Sequence, residues 1–334
     1  MPENTADIDT RLAALGLTTP VVLAPMAGIT DLPTRRIVAG FGAGLVVSEM
    51  VASQEMVQAK PSVRDRAELG ATVEGTSVQI AGREAFWMAE AAKLLEGQGA
   101  RILDINMGCP AKKVTGGASG SALLRDHDHA LRLIEAVTAA VSVPVTLKTR
   151  LGWDDDSHDT AALARRAEGA GIRMLTIHGR TRCQFYRGRA DWDAIRPIVE
   201  AVSIPVLANG DIVDLTSAKA ALAASGAAGV MVGRGAQGAP WLCASIAAGL
   251  GHGAPPEVPS GSALALLVLA HYDALLDFYG EAHGARVARK HLGWYMDGVD
   301  TPPALRRRIL TAPATEVRAL LPDALAPAEG RRAA

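Results

Sequence analysis

The residues best suited to chemistry lie where short apolar runs of the chain end. Cys109 follows one such run in the sequence Asn-Met-Gly-Cys-Pro, and a glycine-rich stretch, 115–120, comes soon after it. A free thiol titrates at about 8.5, so at neutral pH this cysteine can donate a proton as a general acid. The alternative is a buried structural thiol. We prefer that alternative for Cys183 and Cys243, for which the sequence offers no partner.

Lys148 and His178 are polar residues within or at the end of other apolar runs. A lysine enclosed by apolar residues is costly unless it meets an anion, and the edge of a flavin ring, which becomes negative on reduction, would be such an anion. The alternative for Lys148 is a side chain that points outward between helices. His178 is either part of the same site or a core histidine with satisfied hydrogen bonds.

Eight apolar runs alternate with alanine-rich segments of helical period, which indicates repeated βα units. The sequence Val-Ser-Val-Pro-Val at 141–145 recurs as Val-Ser-Ile-Pro-Val at 202–206. We therefore predict an α/β fold, a (β/α)8 TIM barrel. The alternative, an open doubly wound sheet, often has a GxGxxG turn after its first strand, and none occurs here. The predicted strands are 21–24, 45–49, 77–81, 101–106, 144–149, 174–178, 205–209 and 229–233, and the predicted helices include 83–96, 127–141, 160–169, 192–202 and 215–224.

The active face of such a barrel lies at the carboxyl ends of its strands, and the loops after the last two strands commonly bind phosphate. Asn209-Gly210-Asp211 and Gly233-Arg234 fall in those loops. Backbone N–H groups in glycine-rich turns can bind a phosphate, so we predict an anion site there. The alternative is that these glycines only form tight turns.

The carboxyl-terminal part of the chain is predicted to be helical. We divide the chain into a catalytic barrel at 1–248, a Gly/Pro-rich linker at 249–262 and a helical domain at 263–334, with helices at 264–279, 285–296 and 303–310. Between residues 283 and 310 the sequence has six lysines and arginines and two acidic residues, an excess of four positive charges. This cluster, which includes Arg286, Arg289 and Lys290, is either a nucleic-acid contact or a solvated helix face.

Composition excludes several classes of protein. The 334 residues carry 34 Lys and Arg against 35 Asp and Glu, a net charge of -1, and 49% of them are hydrophobic, which is unlike a polybasic nucleic-acid wrapper or a disordered chain. Three cysteines without CxxC spacing suggest neither a disulfide framework nor a metal site. The chain lacks a signal peptide pattern and a long apolar run. We expect a cytoplasmic monomer that binds neither metal nor membrane.

Taken together, five stretches in order resemble the tRNA-dihydrouridine synthases, and in particular their bacterial B-type branch. The similarity spans about residues 23–310. The stretches are APMAGITD at 24–31, NMGCPAKKV at 106–114, HGRTR at 178–182, NGDI at 209–212 and RKHLGWY at 289–295.

The resemblance implies an enzyme that uses FMN and NADPH to reduce uridines in the D-loop of tRNA, with position 17 as the expected target. Flavin N5 would give a hydride to uracil C6, and Cys109 would protonate C5. The flavin would be bound by Pro25, Met26, Ala27, Gln79, Lys148, His178, Asn209, Gly210, Asp211, Gly233 and Arg234, and the RNA substrate by Asn106, Arg150, Arg180, Arg286, Arg289 and Lys290.

The chain departs from the B-type pattern at 115–120, where it is richer in glycine and less basic, so a substrate contact from that loop is in doubt. Two other functions stay open. One is a flavin barrel that reduces a small molecule, against which the basic helical region argues. The other is a non-catalytic RNA-binding barrel, against which Cys109, Lys148 and the phosphate loops argue together.

Overall fold

A closed barrel of eight parallel strands forms the first two thirds of the protein. The computed structural model describes residues 8–58 and 76–326. The barrel closes because β1 pairs with both β2 and β9, while β2 also pairs with β4. The predicted (β/α)8 barrel is therefore confirmed. The strands are β1 (Val21–Leu23), β2 (Leu45–Val47), β3 (Val51–Ala52), β4 (Thr76–Ala81), β5 (Ile102–Asn106), β6 (Val145–Arg150), β7 (Ile172–His178), β8 (Val206–Asn209) and β9 (Gly229–Val232).

The second predicted strand is interrupted, which leaves β3 as a short ninth strand beside β4. The interruption falls at Ser48 and Glu49, where the hydroxyl of Ser48 accepts a hydrogen bond from the backbone N–H of Gln79 at 3.1 Å. The same hydroxyl donates to the carbonyl of Glu49 at 2.9 Å. A side chain thus replaces a backbone group in the ladder, and the predicted continuous strand at 45–49 is wrong beyond Val47.

Helices cover the outer face of the barrel, as expected for parallel strands that are buried along almost their whole length. The helix predicted at 192–202 is shorter than expected, because it opens as a 3₁₀ turn at Asp193–Ile195 and has Pro197 near its start. The helices up to the end of the barrel are α1 (Thr10–Ala13), α2 (Leu32–Gly40), α3 (Ser53–Val57), α4 (Ala85–Gly97), α5 (Lys112–Thr115), α6 (His127–Thr138), α7 (Thr160–Gly169), α8 (Arg196–Glu200), α9 (Leu215–Ser225) and α10 (Leu242–Gly249).

Four helices follow an irregular segment at 250–260 and enclose a hydrophobic cluster of their own, which includes Val268, Leu292 and Leu321. Three of them match the predicted helices, and the last was not predicted. The division of the chain at 249–262 stays a prediction. The four helices are α11 (Gly261–Tyr279), α12 (Glu281–Asp297), α13 (Pro303–Thr311) and α14 (Ala314–Ala324).

One helix within the described residues, α11, is long and apolar enough to cross a membrane by length and composition. Its residues Leu264, Val268, Tyr272 and Leu275 are buried against the other helices of this region. Core helices of globular domains have the same length and composition, so this helix is weak evidence for a membrane span.

Two histidines fill the contact between the helical region and the barrel. His271, on α11, is hydrogen bonded through Nε2 to the hydroxyl of Thr34 on α2, at 3.3 Å, and through Nδ1 to the hydroxyl of Tyr295 on α12, at 3.2 Å. The ring of His291 lies 4.9 Å from that of His271. The two regions therefore meet through a buried polar contact as well as through apolar packing.

Candidate active site

A chain of buried amide and carboxylate groups lies across the mouth of the barrel. Gln79 donates through Nε2 to Oδ2 of Asp104 at 2.6 Å, and accepts through Oε1 from Nδ2 of Asn106 at 2.8 Å. Thr146 donates to the other oxygen of Asp104 at 2.6 Å. Burial raises the pKa of Asp104, against the opposing effects of the bonds from Thr146 and Gln79 and of the Lys148 charge. The ionised form of Asp104 accepts and does not donate, so in that form it fixes which way the Gln79 amide faces, and Gln79 in turn fixes Asn106.

Cys109 stands at the end of this chain of hydrogen bonds. The side-chain oxygen of Asn106 accepts from the backbone N–H of Cys109 at 3.0 Å and of Gly108 at 3.3 Å. The carbonyl of Cys109 accepts from the Ser121 hydroxyl at 2.9 Å. These bonds hold the Cys109 backbone from both sides, and the residue is partly exposed. A cysteine in this position is accessible to a substrate, unlike a buried structural thiol.

Gly120 brings the predicted glycine-rich loop close to Cys109. Its backbone has a φ of +59°, and a Cβ placed there would lie 2.9 Å from the carbonyl oxygen of Cys109 and 3.4 Å from Oδ1 of Asn106. A larger residue would clash with the segment that carries the thiol. This glycine therefore permits a close approach of two backbones, as well as a turn.

Lys148 points into the barrel, which rules out the alternative of an outward lysine. Its Nζ donates to Oδ1 of Asn209 at 3.2 Å, and Asn209 is itself fixed by a bond from Nδ2 to the carbonyl of Met231 at 2.8 Å. Burial and the nearby Arg150 guanidinium lower the pKa of Lys148 to about 8, against the opposing effect of Asp104. The ammonium group is thus a cation in a region poor in solvent, suited to an anionic partner.

Asp211, in the loop after β8, forms ion pairs with an arginine of the loop after β7 and with an arginine of the loop after β9. Asp211 accepts from Arg180 at 2.5 Å and from Arg234 at 3.3 Å. Burial opposes ionisation of Asp211, but the bonds from Arg180 and the Ala190 N–H outweigh it, and the pKa of the carboxyl is lowered. Gly210 is left-handed, with a φ of +114°. The structure therefore brings the residues of the predicted phosphate site together.

His178, at the end of β7, belongs to the same cluster. Its Nε2 lies 3.2 Å from Nη1 of Arg180. Burial, together with the positive charges of Lys148 and Arg150, lowers the pKa of His178 well below its ordinary value. The imidazole is neutral at physiological pH, and accordingly Nε2 can accept the bond from Arg180.

The first loop of the barrel carries Pro25, Met26 and Ala27, which lie partly or fully exposed at the mouth. Its turn is closed by bonds from the N–H groups of Ile29 and Thr30 to the carbonyl of Met26. Lys290 of α12 donates from Nζ to the carbonyl of Gly28. A predicted RNA contact thus lies against the loop predicted to line the flavin.

The remaining predicted substrate residues fall into two groups. Arg150 and Arg180 are each 1% exposed, and most of their described hydrogen bonds run to backbone carbonyls of the protein. Arg286 and Arg289 lie exposed on α12. Contact of these four arginines with a substrate stays a prediction.

Several residues of the site were missed by the sequence analysis. Asp104 has the same signal as Lys148, a charged residue inside the apolar run Ile-Leu-Asp-Ile-Asn. Ser121 carries no such signal, because its contact with Cys109 depends on how the loop between them folds back.

The other two cysteines differ from each other. Cys243 is buried, and burial raises the pKa of its thiol to about 12, in agreement with a structural role. Cys183 is exposed, so its prediction as a buried thiol is wrong. Across residues 8–58 and 76–326, no group of three or more His, Cys, Asp or Glu side chains could hold a metal ion.

Comparison with known proteins agrees with this geometry. A family model described as dihydrouridine synthase matches residues 22–324, which include the barrel strands and the four terminal helices. The chain belongs to the dihydrouridine synthase family. The resemblance found in the motifs is thereby confirmed, and the match extends beyond the span of about 23–310 at which the motifs place it.

Relatives with close sequences cover nearly the whole chain. A protein of Rhodobacter capsulatus named "Probable tRNA-dihydrouridine synthase" is 63% identical over 302 residues, which are 90% of this chain and 93% of the relative. A protein of Pseudomonas syringae pv. tomato named "tRNA-dihydrouridine synthase B" is 49% identical over 276 residues, 83% of this chain and 82% of the relative.

Solved structures with much lower sequence identity share the fold. The 2-naphthoyl-CoA reductase complex has a TM-score of 0.57 at 12% identity and covers 75% of this chain and 53% of its own. Histamine dehydrogenase from Rhizobium sp. 4-9 has a TM-score of 0.55 at 12% identity and covers 81% of this chain and 51% of its own. At such identities the likeness concerns the fold alone.

Proposed function

We propose that this protein reduces uridine in tRNA to 5,6-dihydrouridine, with FMN as its cofactor and NADPH as the reductant. The observation that carries the proposal is the joint placement of Cys109 and Lys148 at one mouth of the barrel. A partly exposed thiol can supply a proton there, and the partly buried ammonium group of Lys148 can bind an anionic ring edge. The names of the relatives at 63% and 49% identity support tRNA as the substrate.

The residues at the mouth fit a flavin mononucleotide. Within the described residues, Lys148 donates one hydrogen bond, to Asn209, and an ammonium group has three donors. Gly233 leaves space beside the first loop, because a Cβ there would lie 3.9 Å from Sδ of Met26 and 3.9 Å from Cβ of Ala24. Arg234 has an exposed side chain at the expected phosphate end. Gln79, His178, Gly210 and Asp211 would complete the site.

When bound, the flavin supplies the hydride that saturates C6 of the uracil. Cys109 holds the proton that C5 requires, on its Sγ. Asn106 keeps the Cys109 backbone in place, and its Nδ2 has a second hydrogen that can reach a uracil carbonyl. Lys148 remains a cation below about pH 8 and thereby favours an anionic ring edge.

The tRNA must present its uridine outside the base stack, since the thiol lies within a barrel mouth. Arg286 and Arg289 lie exposed on α12 and are suited to hold phosphates while the base enters. Within this proposal the target lies in the D-loop, at position 17, and the enzyme acts as a cytoplasmic monomer.

The test is the mass of an unmodified tRNA transcript after incubation with the purified protein, FMN and NADPH, followed by nuclease mapping. We expect a gain of two hydrogen atoms on one D-loop nucleotide. A yellow protein that oxidises NADPH without this gain would favour a small-molecule reductase. A colourless protein that takes up no FMN would favour a non-catalytic barrel.

A further inference from the structure

An exposed pair of aromatic rings lies on the loop between β7 and α8. Phe185 is 42% exposed and Tyr186 is 48% exposed, and their rings meet edge to face with centroids 4.9 Å apart. The whole chain has four phenylalanines and four tyrosines. Phenylalanine and tyrosine are thus rare in this chain, and here two of them are adjacent and exposed to solvent. Packing in the hydrophobic core therefore does not explain the pair.

The loop holds the pair in a strained conformation. Phe185 has a φ of +58°, which is uncommon for a bulky residue, and such strain persists where the surroundings over-determine it. Arg150 supplies that constraint, because its Nη1 donates to the carbonyls of Phe185 at 2.9 Å and of Thr181 at 3.0 Å. Arg180 holds the part of the loop that follows the two rings, because it donates hydrogen bonds to the carbonyls of Arg187 and Gly188.

The pair adjoins the reactive mouth of the barrel. Arg150 donates through Nε to the carbonyl of Gly108, beside Cys109, at 2.7 Å, and its guanidinium carbon lies 5.6 Å from the Tyr186 ring. On the other side, the guanidinium of Arg234 lies 5.3 Å from the same ring. One buried arginine thus joins the segment that carries the thiol to the segment that carries the rings.

The charge around the rings suits a nucleic acid. Between 179 and 192 the chain has four arginines and one aspartate, an excess of three positive charges, and Arg187 and Arg189 are exposed. Aromatic rings among exposed arginines are the usual means by which proteins bind unpaired bases, because every base can stack on a ring while phosphates meet the cations.

We infer that Phe185 and Tyr186 form a stacking site for an unpaired RNA base that flanks the reacting uridine. The inference rests on the proposed function and deepens it. A uridine that leaves its stack deprives the neighbouring base of a partner, and the rings replace that partner. Arg150 and Arg180 are positioning residues for this site, which accounts for their burial.

The test measures binding of an unmodified tRNA transcript to the flavin-loaded enzyme, separately from its reduction. Phe185→Asn removes the ring and suits the left-handed backbone, since asparagine adopts this region more readily than most residues. We expect the dissociation constant and KM for the transcript to rise about tenfold in this variant and in Tyr186→Ala, with a smaller change in kcat.

Two comparisons separate stacking from charge and from general damage. Phe86→Ala removes a ring that is 64% exposed and also meets a neighbour edge to face, at Trp87, and it should bind the transcript as the unaltered protein does. The loss in Phe185→Asn should be equal at about 50 and about 200 mM salt, whereas Arg189→Ala should reduce the salt dependence of binding.

Unchanged transcript affinity in both ring variants would overturn the stacking site while the reduction of tRNA by the unaltered enzyme stands. A rise in the KM for NADPH, measured with ferricyanide as the electron acceptor, with unchanged transcript affinity, would overturn it in favour of a nicotinamide contact. Failure of the unaltered, flavin-loaded enzyme to bind the transcript would overturn the proposed function together with the inference.

Discussion

The carboxylate of Asp104 and the side-chain amide of Gln79 face each other inside the barrel, with Oδ2 and Nε2 2.6 Å apart. Asp104 is 3% exposed and Gln79 is 1% exposed, so neither group can turn to solvent. In its ionised form Asp104 only accepts hydrogen bonds and thereby orients Gln79, Gln79 orients Asn106, and Asn106 holds the backbone N–H of Cys109. A residue that was not predicted to belong to the site thus determines the placement of the thiol.

Asp104→Asn should slow tRNA reduction about 10- to 100-fold. The NH2 group of the new amide can face the NH2 group of Gln79, and Gln79 would then turn over and no longer accept the hydrogen bond from Asn106. The measurement is single-turnover reduction of the transcript, together with the rate at which iodoacetamide alkylates Cys109. Alkylation follows the placement of the thiol whether or not the protein reduces tRNA.

A paired exchange tests the direction of the bonds. In the double variant Asp104→Asn, Gln79→Glu the new amide donates to the new carboxylate, which can again accept from Asn106. Because Gln79 also belongs to the proposed flavin site, we expect the double variant to recover part of the lost rate when the variants are compared at equal flavin content. Thr146→Val removes the other bond to Asp104 and is the control for packing. Equal losses in the single and double variants, at equal flavin content, would contradict an orienting role.

Cys109→Ala should retain bound flavin and lose at least about 100-fold in tRNA reduction, since general acids contribute that much or more to a rate. Cys183→Ala is the matched control, because Cys183 is exposed and lies outside the catalytic segment. Flavin absorbance and transcript mass are the two measurements. Full activity of the Cys109 variant would refute its role as the proton donor.

Flavin binding should weaken as the pH rises through about 8. Burial lowers the pKa of Lys148 to that value, so the ammonium group is present below it and lost above it. Titration of the flavin-free protein with FMN between about pH 7 and pH 9 measures the effect. In Lys148→Met the affinity should be lower at pH 7 and nearly independent of pH, and an unaltered pH profile would exclude the contact.

The junction of barrel and helical region should destabilise the protein in acid. Burial lowers the pKa of His271 from 6.5 to about 4 and that of His291 to about 2. Between the ordinary and the lowered pKa the unfolded chain binds more protons than the folded protein, so the free energy of unfolding falls as the pH drops. From about pH 7.5 to about pH 5, His271 alone should account for about 2 kcal/mol.

Urea unfolding of the flavin-free protein at those two pH values measures this loss. His271→Gln remains neutral and can still bond both Thr34 and Tyr295. It should therefore lose less stability on acidification than the unaltered protein, with a residual loss from His291. An identical loss in both proteins would exclude His271 as the source.

The alternation of apolar runs and helical segments was sufficient to predict the barrel and the location of its active face. Strand runs such as 205–209 and 229–233 are short and mostly apolar, and in a closed parallel barrel their carboxyl ends must meet at one rim. For that reason Cys109, Lys148 and Asn209, which are distant in the sequence, could be predicted to lie together. The five motifs then indicated the family.

The contacts of the individual polar side chains could not be predicted and became known from the folded structure. Arg150 and Arg180 are predicted to bind substrate, and in the structure they also donate to four backbone carbonyls of the loop that displays Phe185 and Tyr186. Lys290 contacts the first barrel loop. A hydrogen bond depends on directions and on distances of about 3 Å between segments far apart in the chain, whereas apolar periodicity is a local property of the sequence.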